Sequence, residues 1–86
     1  MKKTHNLKTF KNHFSEVILG NKKAEVRVND RSFKNGEFLN LKEFHLGKYT
    51  GNEHKVKITH ILNGGQYGIN KKYVILSIES VTSDEA

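Results

Sequence analysis

Through Lys23–Asn29, KAEVRVN, apolar residues alternate without a break with charged or amide residues. A period of two suits a β-strand with one covered face and gives an α-helix no apolar stripe. The expected arrangement sets Ala24, Val26 and Val28 against a core. Lys23, Glu25, Arg27 and Asn29 then look the other way. Asn29-Asp30 ends the strand at a turn, and Asn35-Gly36 supplies a second turn signal. The stretch from Gly20 to Gly36 thus carries a cation, an anion, a cation and an amide in file on one strand. Such a file is either a solvated face, with ion pairs worth under about 1 kcal/mol each, or the wall of a site.

At 86 residues the chain has room for one small domain, expected over residues 1–81, with residues 82–86 as an acidic tail that frays. There is no cysteine, which rules out a disulfide framework and a thiolate metal site. The start, MKKTHNLKTFKNHF, has no apolar run of signal-peptide length, and no stretch approaches the roughly 20 apolar residues of a membrane helix. A soluble, cytoplasmic protein is the expectation, monomeric by default and with no membrane partner. The net charge is +6, and all fifteen Lys and Arg lie in residues 1–78 beside six acids, a body of +9. A basic body favours anionic partners, nucleic acid first. Thirteen of the fifteen are lysines, which meet phosphate as point charges and read no base.

Phe10, Phe14, Val17 and Ile18 recur at helical spacing, with Thr9 as N-cap and Gly20 as stop, so a helix is expected at about residues 9–19. Leu39 and Leu41 alternate with Phe38, Asn40, Lys42 and Phe44 in the next strand. Residues 45–53 read as a two-glycine loop. His54–Leu62 follows as a strand with Val56, Ile58 and His60 in one row, then a glycine-rich loop at 63–72. Tyr73–Val81 is the most continuously apolar strand and reads as central, covered on both faces. With no proline, glycine and asparagine must do the turning. One early helix and about five strands make a small α+β domain whose sheet bends or closes to hide its edges.

Five histidines show no metal-ligand spacing, and no acid pair accompanies them, so neither a metal nor a cofactor is expected. Asn63-Gly64-Gly65 with Gly68 lacks the strand–glycine–helix context of a phosphate loop and reads as a turn. No serine sits in a nucleophile-elbow context. The Lys23–Arg31 file differs, because loops with Tyr49, Thr50 and Tyr67 bracket it. Tyrosines beside cations suit base stacking and phosphate contact.

HNLKTF, the block GNKKAEVRVNDRSFKNGE from Gly20 to Glu37, the YTG triplet, the KITHIL strand and the closing YVILSI strand resemble a small bacterial and phage family of the ASCH superfamily. The likeness covers about His5 to Ile78 and implies a PUA-like β-barrel of about five strands with an early helix. It further implies an RNA- or nucleotide-binding cleft between barrel and helix, lined by a G-x-K-x-x-E-x-R signature: Lys22, Glu25 and Arg27. Asn29, Asp30 and Arg31 are peculiar to this branch. Some small ASCH proteins are amidohydrolases of N4-acetylcytidine that use a lysine, a threonine nucleophile and a later glutamate. Lys22 matches the lysine, but Glu25 stands in the threonine's place and the 63–72 loop has no carboxylate. A glutamate cannot replace a hydroxyl nucleophile without different chemistry.

The leading expectation is an RNA- or nucleotide-binding domain. Lys22, Arg27 and Arg31 would meet phosphate, Glu25 would accept a hydrogen bond from a base or ribose, and Tyr49 and Tyr67 would stack, with Lys23, Asn29, Asp30 and Thr50 completing the candidate ligand-binding set. The alternatives are a small hydrolase of modified nucleosides built on Lys22 and Glu25, and a protein-interaction module.

Overall fold

Inward residues His5, Leu7 and Thr9 alternate with exposed ones along the first strand, β1 (Thr4–Phe10), in the computed structural model, which describes residues 2–81. The apolar spacing there predicts only the lead-in to a helix, because two of the three inward residues are polar. Thr9 lies in this strand and caps nothing. Helix α1 (Lys11–Ile18) starts from an extended Phe10 with no side-chain cap. Phe14 and Val17 are buried, whereas Phe10 and Ile18, on the same predicted stripe, are half exposed. The acidic segment expected to fray, residues 82–86, lies outside the described residues.

Four further strands follow: β2 (Ala24–Val28), β3 (Phe38–His45), β4 (Lys48–Asn63) and β5 (Tyr73–Ser80). They form one sheet in the order β1-β3-β4-β5-β2, with β1 parallel to β3 and every other pair antiparallel. The sheet curls into a five-strand half-barrel. The expected loop at 45–53 is instead a tight hairpin: Leu46 and Gly47 both take positive φ, 50° and 81°, between the paired residues His45 and Lys48. Left-handed geometry at both central positions matches the twist of the flanking strands, so they pair at once. Tyr49 and Thr50 therefore belong to β4.

β4 is long enough to bend, and two register shifts bend it. Between Lys42 and Phe44 of β3, residues 50–52 bulge, and the Glu43 carboxylate accepts from Thr50 Oγ1 at 2.6 Å and Asn52 Nδ2 at 3.0 Å. The second shift, between Ile58 and His60, reverses the alternation. His60 is consequently exposed, and Ile61 takes the inward place that simple alternation assigns to His60. β5 runs between β4 and β2, with Val74, Leu76 and Ile78 buried and Ile75 and Ser77 half buried. The core is completed by Leu7, Phe14, Val17, Phe33, Leu39, Leu41, Val56 and Ile58.

Polar groups inside this shell are individually partnered. Glu37 Oε1 accepts from the Lys34 amide at 2.9 Å and lies 2.9 Å from His5 Nε2, fastening β1 to the turn at Gly36. The His5 contact, then the Lys34 amide, hold the Glu37 carboxyl below its ordinary value against the opposing effect of burial. The Thr50 hydroxyl, then Asn52, do the same for Glu43, whereas burial depresses His54. All three shifts favour the deprotonated form in the folded state, so each contribution is complete at neutral pH and fades in acid. The urea midpoint is expected to fall first as pH drops through the ordinary histidine value of 6.5, then more steeply below the glutamate value of 4.5. Thr50→Val should flatten the lower limb. An unchanged midpoint from pH 7 to 4 would contradict this assignment.

Candidate functional site

The alternation in β2 is present, but its sense is the reverse of the expected one. Glu25 is buried at 4% exposure, whereas Val26 and Val28 are 61% and 46% exposed. β2 is an edge strand, paired only with β5, so its inner face overhangs the open side of the half-barrel. What lies opposite is the other edge strand, β1, and groups with hydrogen-bonding needs fill that space better than valines.

Lys22 Nζ donates to Glu25 Oε1 and to the Ala24 carbonyl. Arg27 Nε donates to Glu25 Oε2 at 3.0 Å, so both oxygens of the buried carboxylate carry a cationic donor. Charge-assisted bonds of this kind offset the cost of burying the carboxylate. Arg27 then reaches across to β1, where Nη2 donates to the Lys8 carbonyl at 3.0 Å and makes a longer contact with Thr9 Oγ1 at 3.4 Å. Arg31 Nη1 bridges the same gap to the Asn6 carbonyl at 2.7 Å. From Arg27 in β2 to Arg31 just past its end the partners descend from Lys8 to Asn6 of β1, so the two edges run antiparallel across the gap. Arginine side chains hold it closed where a barrel would use backbone hydrogen bonds.

At the Lys8–Phe10 end of the gap is a cleft of about 350 Å³. One wall is Lys22, Ala24, Glu25, Val26 and Arg27; the other is Lys8, Thr9 and Phe10, with His13 of α1 closing it. Its charged lining is three cations and one carboxylate that is already engaged by two of them. The balance suits an anion.

The structure thus brings Lys22, Glu25 and Arg27 together at one cleft. Lys23 lines a different hollow, between α1 and the β4–β5 pair, with Val17, Thr59 and Glu79. Asn29 and Asp30 are exposed past the end of β2, and Arg31 ties the gap beyond the cleft with Asp30 at 3.7 Å from its Nε. Tyr49 and Thr50 line a separate hollow with Lys42, Glu43 and Glu53, and Tyr67 belongs to the 63–72 loop, where its φ is 52°. The second wall, Lys8, Thr9, Phe10 and His13, is what sequence reasoning misses. Its signal is the weak alternation in THNLKTF, where polar His5 and Thr9 stand in for apolar residues.

Among the described residues no cluster of three or more His, Asp or Glu could hold a metal ion, and no helix is long and apolar enough to cross a membrane. Residues 4–78 match the family model described as a domain of unknown function, DUF3850, and the chain belongs to that family. It is also 36% identical over 61 residues to the uncharacterized 12.9 kDa protein in the GpA 3′ region of Escherichia phage P2. That match covers 71% of this chain and 56% of the phage protein, so the chain spans little more than half of its relative's length.

Proposed function

We propose that the cleft between the two edge strands binds RNA or a nucleotide in the cytoplasm, with phosphate against Lys8, Lys22 and Arg27. The observation that carries this reading is the saturated Glu25 carboxylate. It fixes two cations on one wall while leaving the cleft with excess positive charge. With Arg27 Nε and Nη2 spent on Glu25 and β1, Nη1 is the nitrogen left to donate to phosphate, and Thr9 and His13 add hydrogen-bonding side chains beside it. We further assign the fold to the ASCH superfamily and its PUA-like barrel. The curled five-strand sheet, the helix directly after the first strand, and the signature lysine, glutamate and arginine on one cleft wall support this.

Binding is favoured over hydrolysis because a general base needs an oxygen free to take a proton, and each Glu25 oxygen holds a charged donor. Arg27→Gln and Lys8→Gln are each expected to weaken a single-stranded RNA octamer about tenfold and to lower the salt slope by about one. Affinity that ignores salt, or is equal in wild type and both variants, would sink the proposal. Turnover of modified nucleosides abolished by Glu25→Gln would move the reading to a hydrolase. A protein partner captured after nuclease treatment, without RNA affinity, would favour an interaction module.

A further inference from the structure

The outward face of β1, β3 and β4 is organised in rows that cross the strands. Phe10 pairs with Phe44, and Phe44 with Tyr49, giving an aromatic row; one step along, Lys8 pairs with Lys42. The rings meet edge to face, with centroids 6.1 Å apart for Phe10–Phe44 and 5.2 Å for Phe44–Tyr49. Lys8 Nζ lies 4.7 Å from the Phe44 centroid and Lys42 Nζ 5.1 Å from that of Tyr49. The outer two rings, Phe10 and Tyr49, remain 55% and 53% exposed. Cross-strand pairing explains why the rings stand together, but not why half of their surface is left in water beside two ammonium groups.

We infer that this row is a stacking platform for single-stranded RNA, continuous with the cleft through Lys8 and Phe10, which belong to both. The inference rests on the nucleotide reading of the cleft. Bases of any identity stack on exposed rings, and neighbouring lysines meet the phosphates between them. The local charge fits: Glu43 points inward to Thr50 and Asn52, and Glu53, the carboxylate opposite Lys42, is engaged by Asn40 at 2.8 Å. In the next row Asn40 donates to Asn6 at 3.0 Å, which leaves the Asn6 amino group and the Asn40 carbonyl oxygen without partners among the described residues. A donor and an acceptor at that place suit the 2′-hydroxyl that distinguishes RNA from DNA.

The test compares an octauridylate RNA, its deoxythymidylate counterpart and uridine monophosphate at one salt concentration. Phe44→Leu with Tyr49→Leu keeps apolar bulk and removes the two rings of the row that lie outside the cleft lining. It is expected to weaken the RNA octamer at least tenfold while leaving the mononucleotide unchanged. In Tyr49→Trp, which introduces the chain's sole tryptophan, the octamer should quench the new emission and the mononucleotide should not. An octamer affinity unchanged in the double variant, with no quenching, overturns the platform whether or not the cleft binds the mononucleotide. Loss in the double variant with no effect of Arg27→Gln supports the platform and removes the cleft. Equal affinity for the DNA octamer overturns the assignment to RNA.

Discussion

Glu25→Ala is expected to lower folding stability by about 3 kcal/mol, the low end for removing one partner of a buried ion pair. Lys22 and Arg27, each 25% exposed at the side chain, keep some water, which is why the high end does not apply. For a domain of this size that corresponds to a fall of roughly 15 °C in Tm. The cause is the loss of an acceptor shared by two cations, whose mutual repulsion is then uncompensated beneath the overhang of β2. Glu25→Gln keeps one acceptor oxygen and should cost about half as much. Replacing Lys22, Glu25 and Arg27 together by Met, Leu and Met removes every charge at once and should recover most of the stability. That triple variant separates the structural duty of the triad from its binding duty, because a folded protein that no longer binds RNA locates the anion site here. Urea denaturation of the three variants is the measurement. A Glu25→Ala protein as stable as wild type would mean that the carboxylate is not held as described.

The second large effect is expected from Gly64→Ala, at the end of β4. A methyl group there would sit 2.1 Å from the Asn70 carbonyl oxygen and 2.5 Å from that of Tyr73. Neither oxygen can give way cheaply. Tyr73 O accepts the Gly64 amide at 2.9 Å, and Asn70 O accepts the Tyr73 amide at 3.0 Å, so both hold the loop onto the start of β5. Overpacking of this kind costs about 1–3 kcal/mol, and contacts this close with backbone belong at or above the upper figure. Gly68→Ala, four residues on, is the control: its Cβ would meet nothing within 4 Å, although its φ of +76° favours glycine. That substitution should cost only about 1 kcal/mol. If thermal unfolding ranks Gly68→Ala as the more damaging, the close approach at Gly64 does not limit stability.

Much of this was legible in residue order. β3, β5 and β4 as far as Ile58 alternate as strands must, and Gly20 ends the helical stretch with a φ of 81°. Lys22, Glu25 and Arg27 stand out because charge in a strand-period file needs a reason. What period two cannot convey is which face is inside, since turning a strand over leaves its alternation unchanged. The apolar side is the default choice. It fails in β2 because that strand lies at a sheet edge, and edge position depends on distant pairings, such as Glu25 with Leu76, 51 residues apart. β1 was hidden for a related reason: His5 and Thr9 take inward places, where Glu37 and Arg27, both distant in sequence, supply them with partners. The hairpin at Leu46-Gly47 lacks an asparagine or aspartate signal, so β4 seemed to begin six residues late.

The arginines that close the gap have a further consequence for how the protein behaves at high concentration. An open sheet offers the backbone of its outer strands as a template on which a neighbouring chain can add. Here the Asn6 and Lys8 carbonyls of β1 are occupied by Arg31 and Arg27, and each occupant brings a positive charge. A second molecule approaching to extend the sheet meets filled acceptors and a like-charged body. The side chains that make a wall for an anion also guard the sheet against polymerisation.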